Sequence, residues 1–288
     1  MLKKLYKYDW KSVSMILLIL HGVLLAYSII GRLAITIGEN MASGRGENFD
    51  THLSLSTTIF GLGAVAYIMI YAIFIIGIVL ATILYLAVRM QKSLFSEEGY
   101  LTNTLPVSCD KILWSKILVF WTWSIIDFLC VALSIFILVS YPDTMPDIVE
   151  GFHSFFGSLF GLGGFNAMLE ALGVVLGLLI QYFFYFIALI LFSICLGSLF
   201  KTHKTLGALV AFFGINMGQT IVMLILIFII PPLSPISTIV TTESGRVISS
   251  TGGSGNAQTI FLLSWYLILS IVFYLGSRYI MTKKLNLD

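Results

Sequence analysis

Charge is what this sequence has least of. Asp, Glu, Lys and Arg supply 10% of its 288 residues, where soluble domains carry about 25%. With 58% of residues hydrophobic and a mean hydropathy of +1.00, there is too little polar surface to cover a water-soluble fold. Lipid is expected to be much of its solvent, and no stretch between apolar segments is long enough for an ordinary soluble domain. Cysteine is scarce too: Cys130 and Cys195 fall in apolar runs and Cys109 in a segment read as cytosolic, so no disulfide framework is expected. A G-x-x-x-x-G-K-[ST] phosphate loop is missing, since Gly252-Gly-Ser-Gly255 lacks both the Lys and the helix start. The four histidines have no metal-ligand spacing. Ser/His, paired-carboxylate and H-E-x-x-H arrangements are likewise missing, so catalysis by this chain itself is not expected. No basic cluster with interleaved aromatics suggests nucleic-acid binding, and nucleic acid is not an expected partner.

What the sequence does contain is six long apolar runs. A helix needs about 20 such residues to cross roughly 30 Å of hydrocarbon. Val13–Thr36, Ile59–Val88, Ile112–Val139, Ala171–Leu199, Thr205–Ile230 and Thr259–Met281 all qualify. Helices are the reading because each span must satisfy its own backbone in lipid, and the alternation of a barrel is lacking. Lys3, Lys4 and Lys7 precede the first run as they would in a signal peptide. The run is too long for one, and no small-residue cleavage site follows it, so it reads as a retained helix. Of 16 Lys and Arg, only Arg32, Arg45 and Arg246 fall on one side of this arrangement. The basic-rich side is the cytoplasmic one. Both termini are therefore expected there, in a multi-pass protein of the cell membrane with lipids around it.

Two cytoplasmic stretches stand out. Leu2–Lys11 interleaves Leu2, Leu5, Tyr6 and Trp10 with four lysines, which suits a short interfacial helix. The second span is longer than a bilayer requires and is expected to project into the cytosol. The loop after it runs Leu94-Phe-Ser-Glu-Glu-Gly-Tyr-Leu-Thr-Asn-Thr-Leu-Pro-Val-Ser108. It is too apolar for a passive linker: Leu94, Phe95, Tyr100, Leu101, Leu105 and Val107 need a covering surface, either another protein or neighbouring helices. Gly99 permits a turn, Pro106 ends a helix, and Ser108 can cap the next.

This loop resembles that of permease subunits of the ABC-2 type, within the ATP-binding cassette transporters. The opening Leu5-Tyr-Lys-Tyr-Asp-Trp-Lys11 looks like the same family's amphipathic start. The resemblance extends to six helices with cytoplasmic ends, which match a half-transporter. It implies a coupling helix carrying Leu94, Phe95, Glu97, Glu98, Gly99, Tyr100, Leu101, Leu105 and Pro106 that docks on a separate ATPase subunit. ATP and Mg would be bound by that subunit and no cofactor by this chain. A second permease chain, the same or similar, would complete the machine. The expected fold is thus all-α, one domain over residues 1–288, with six transmembrane helices, the interfacial helix and the cytosolic coupling helix. The expected function is the permease of an ATP-driven exporter of an amphiphilic, peptide or lipid-like substrate.

Polar residues at membrane depth suggest a rival. His21, Asp127 and Asn216 each lie about 15–18 Å along their helices from a flanking lysine, with Gln219 one turn beyond Asn216. Such groups form either a structural hydrogen-bond cluster between helices or the centre of a proton- or ion-coupled secondary transporter. Gly173-x-x-x-Gly177 and Gly214-x-x-x-Gly218 permit close helix approach, within the chain or between subunits. Phe152, Phe155, Phe156, Leu159 and Phe160 recur at helical spacing, as in an amphipathic helix on the outer leaflet. Pro231-Pro-Leu-Ser-Pro235 ends the fifth span. A short re-entrant or gate element is expected there from the resemblance, with a plain exposed loop as the alternative.

Overall fold

The computed structural model describes residues 2–43, 52–96, 99, 106–141, 144–162, 164–200, 203–230, 238–241, 247–250 and 255–283. It is an all-α polytopic membrane protein with six helices long and apolar enough to cross a bilayer. The helices are α1 (Leu2–Ser43), α2 (His52–Phe95), α3 (Cys109–Val139), α4 (Met145–Leu159), α5 (Phe165–Leu178), α6 (Ile187–Gly197), α7 (Lys204–Ile229) and α8 (Gly255–Lys283). Leu179–Phe186 joins α5 to α6 as a π-helical segment, so these three pieces make the fourth span. Among the described residues the one pair of strands is an antiparallel hairpin, β1 (Thr238–Thr241) on β2 (Val247–Ser250), between the last two spans. Pro231–Pro235 lies outside the described residues.

Leu2–Lys11 does not form the separate interfacial helix expected from its sequence. It is the opening of α1, a single helix of 42 residues. At 1.5 Å per residue α1 is about 63 Å long, twice the hydrocarbon thickness. The lysines carry it past the apolar run because no Pro or Gly interrupts residues 2–21. The 44-residue α2 likewise overruns its span at both ends.

The chain divides into two compact units. The first holds Met1–Met90 and Trp114–Ile148, and the second holds Gln91–Leu113 and Val149–Asp288. In the first, α1 and α3 run parallel. Asp9 pairs with Ser115, His21 with Asp127 and Ser28 with Ser134, and each pair is separated by 106 residues. A constant offset over 19 residues holds only if both helices advance together. Val13, Leu17, His21, Leu24 and Ser28 of α1 are buried, as are Lys116, Phe120, Trp123, Asp127, Ser134 and Leu138 of α3. These threes and fours are the spacing of a coiled-coil-like seam. Tyr71 of α2 joins the seam among Leu24, Ile78 and Leu138. The α1–α2 approach depends on Gly31, because a Cβ there would overlap the Tyr67 ring.

The second unit is built on aromatic packing. Tyr185 packs against Tyr266 (4.9 Å between centroids) and Phe273 (5.9 Å), and Phe192 stacks on Phe273 (5.3 Å). Such pairs contribute about 0.5–1.5 kcal/mol each beyond area burial. The amphipathic segment expected around Phe152–Phe160 is α4, none of whose residues is buried. Its end is a Schellman turn: Leu162 N–H donates to the Gly157 carbonyl (2.8 Å) and Gly161 N–H to that of Ser158 (3.2 Å). Gly161 sits at φ +80°, a conformation that costs a side-chain-bearing residue.

Candidate functional site

The four polar residues selected by membrane depth fall into two pairs, one in each unit. In the first, His21 and Asp127 face each other across the α1–α3 seam, each 3% exposed. His21 Nδ1 lies 2.7 Å from the Leu17 carbonyl, and Nε2 lies 2.8 Å from Asp127 Oδ1. A carbonyl only accepts, so Nδ1 must carry hydrogen. The contact at Nε2 then needs one more proton, because a bare nitrogen and a carboxylate oxygen would both be acceptors. That proton sits on either atom, and the pair is neutral overall in both cases. Neutrality is what membrane depth demands: a lone charge at a helix centre costs about 2.5–3.5 kcal/mol on insertion scales.

Around this pair the seam is aromatic towards one end and hydroxylic towards the other. Trp123, fully buried, stacks on Trp10 at 4.6 Å and lies 6.3 Å from the His21 ring. Its indole N–H has no partner among the described residues. Two turns beyond His21, Ser28 donates its single hydroxyl hydrogen to the Leu24 carbonyl (2.8 Å). Ser134 must therefore donate to Ser28 (2.6 Å), and Tyr71 to Ser134. Every hydrogen in this chain is assigned, and it ties α2 to α3 to α1. Near the helix starts, Lys116 pairs with Asp9, Ser115 donates to the same carboxylate (3.1 Å), and Tyr6 donates to Thr122 (3.3 Å). Tyr6, Asp9 and Trp10 thus give the start of α1 a face packed on α3.

Asn216 and Gln219 lie on α7 in the second unit. Gln219 Nε2 donates to Asn216 Oδ1 (3.4 Å) and to Thr220 (3.2 Å), while Trp265 of α8 donates to Gln219 Oε1 at 3.5 Å. The structure joins the four sequence-chosen residues as two pairs, His21 with Asp127 and Asn216 with Gln219. Ser28, Ser134, Tyr71, Trp10 and Trp123 were missed. The available signal was the repeat of polar residues in the first and third spans at one offset.

At the loop, Glu97, Glu98, Tyr100, Leu101 and Leu105 lie outside the described residues. Leu94 (0% exposed) and Phe95 are buried at the end of α2. Gly99 N–H donates to the Ser96 carbonyl (2.7 Å), and a Cβ at Gly99 would overlap the Leu94 backbone. Pro106 is exposed just before α3. The far end of the loop is fastened to α8: Asp110 Oδ1 accepts from Arg278 Nε (3.0 Å) and the Tyr274 hydroxyl (3.2 Å).

No family model, characterised relative or solved structure matches this chain.

Proposed function

We propose that this chain is the permease subunit of an ATP-driven transporter, an exporter of amphiphilic, peptide or lipid-like cargo. Its engine is a separate ATPase subunit that binds ATP and Mg, and a second permease chain completes the pathway. In this reading both termini and the 91–113 loop are cytoplasmic. The observation that carries it is where the loop belongs. Gln91–Leu113 groups with the second unit, although α2 and α3, which it connects, lie mainly in the first. Force applied to the loop reaches both units through the continuous chain. Gly99 lies so close to the Leu94 backbone that a side chain there would overlap it, which supports a fixed start for a docking segment. The ABC-2-like residues Leu94–Ser108 lie on that segment.

The single proton held between His21 and Asp127 favours one rival, a proton-coupled secondary transporter. Reconstituted vesicles containing the chain and a partner ATPase separate the two. Transport is expected with ATP and no pH gradient. Replacing Tyr100 and Leu101 by Ala is expected to weaken ATPase co-purification or uncouple hydrolysis from transport. Gradient-driven transport without ATP, abolished in a folded Asp127→Asn variant, would reverse the assignment.

A further inference from the structure

The fourth and sixth spans enclose a groove that the proposed function does not use. α5 and α8 run parallel: Gly173 stands opposite Thr259, and four residues on, Gly177 stands opposite Leu263. A Cβ at Gly173 would press on the Thr259 methyl group, so this end of the seam is closed tightly. At Gly177 the nearest atom would be 3.9 Å away, and the seam opens there. The result is a cavity of about 260 Å³ whose lining includes Val174, Leu178, Leu262 and Leu263.

Its polar groups are few and none is charged: Thr259 at one end, Gln181 and Tyr266 deeper in. Gln181 is ten residues into the fourth span, about 15 Å along it. There the residue is exposed, and no hydrogen bond reaches its side chain from any described residue. An amide facing hydrocarbon without a partner is unfavourable. Gln181 also lies in the π-helical segment Leu179–Phe186, a distortion that concentrates at functional sites.

We propose that this groove binds a neutral, single-chain amphiphile drawn from the membrane. Its alkyl chain lies along Val174, Leu178 and Leu263, and its hydroxyl, ester or amide group bonds to Gln181. The uncharged lining sets the class, because an ionised headgroup would find no counter-charge. Size sets the single chain: pockets for drug-sized ligands run about 300–1,000 Å³, and this cavity is smaller. The site stands independently of the transport reading.

The test is photolabelling of the purified full chain in phosphatidylcholine nanodiscs with a long-chain alcohol bearing an aliphatic diazirine. Labelled peptides are expected to map to residues 173–181 and 259–266. A non-reactive alcohol of equal length should compete about tenfold better than the matching carboxylate at pH 8, the scale of one charge-sensitive polar contact. Gln181→Leu removes the amide at similar volume and is expected to cut labelling severalfold while thermal stability holds or rises. Gly177→Leu, which fills the groove, should also suppress labelling. Should that variant fail to fold, Gln181→Leu decides alone. Labelling that maps elsewhere, survives Gln181→Leu unchanged, or is competed equally by alcohol and carboxylate overturns the proposal.

Discussion

At position 127 the exchange of carboxylate for carboxamide separates a structural role from one in a proton-coupled transport cycle. His21 Nδ1–H is committed to the Leu17 carbonyl, so Nε2 needs a donor opposite it. An asparagine amide is such a donor, and it needs no shared proton. Asp127→Asn is therefore expected to melt close to wild type in detergent or nanodiscs. Asp127→Ala leaves Nε2 buried and unbonded and is expected to lose about 1–3 kcal/mol. If Asn proves as destabilising as Ala, the Nε2 contact contributes little to the fold. Sequence reasoning had selected His21 and Asp127 by depth alone. It could not pair them, because depth along a helix says nothing about which face a residue occupies relative to a helix about 100 residues away.

Among the helices, the informative element is the junction after α2. Leu94 and Phe95 are buried where a free helix end would expose them, and the chain turns at Gly99 against the Leu94 backbone. Backbone atoms cannot give way as a flexible side chain can, so Gly99→Ala must displace the turn. The expected outcome is a chain that still inserts and folds, since α2 and α3 are held by the seam they share with α1. Its association with the proposed ATPase subunit should fall several-fold, read by co-purification. Normal association would show that the turn does not present the docking surface. Arg278→Ala is the counterpart control. Its pair with Asp110 is half-exposed, and such bridges contribute about 0–1 kcal/mol, so stability should barely change.

For the molecule as a whole the issue is orientation. The parallel run of α1 and α3 agrees with odd-numbered spans crossing in one sense, and α5 with α8 agrees for the even-numbered ones. The sense proposed above rests on the 13-to-3 division of Lys and Arg, obtained from 16 in total less three. Single cysteines at 97 and at 239, in a background without the native three, test it with an impermeant thiol reagent. Labelling in intact cells is expected at 239 and not at 97. The opposite pattern would invert the topology and remove the 91–113 loop from reach of a cytosolic ATPase.

The number, length and helical nature of the spans were determined by the sequence alone, because hydrocarbon imposes one rule on every residue it touches. An apolar run of sufficient length must be a helix, wherever the rest of the chain lies. The same rule erases facing information: a leucine against lipid and a leucine against a helix read alike, and α7 is apolar on its exposed and its packed sides. Tertiary structure therefore decided what periodicity could not. It set the α1–α3 register of 106 and assigned Gly173 and Gly177 to α8, while Gly214 and Gly218 have no neighbour within 4 Å of an added Cβ. It also made Leu2–Lys11 part of one long helix and opened the fourth span into a π segment. Tyr182-Phe-Phe-Tyr-Phe186 lies there, with Tyr182 stacked on Phe186 at 5.8 Å and Tyr185 edge-on to Tyr266. The register, the glycine pairings and the Tyr185–Tyr266 contact depend on residues far apart in the chain, where shape rather than polarity selects the partner.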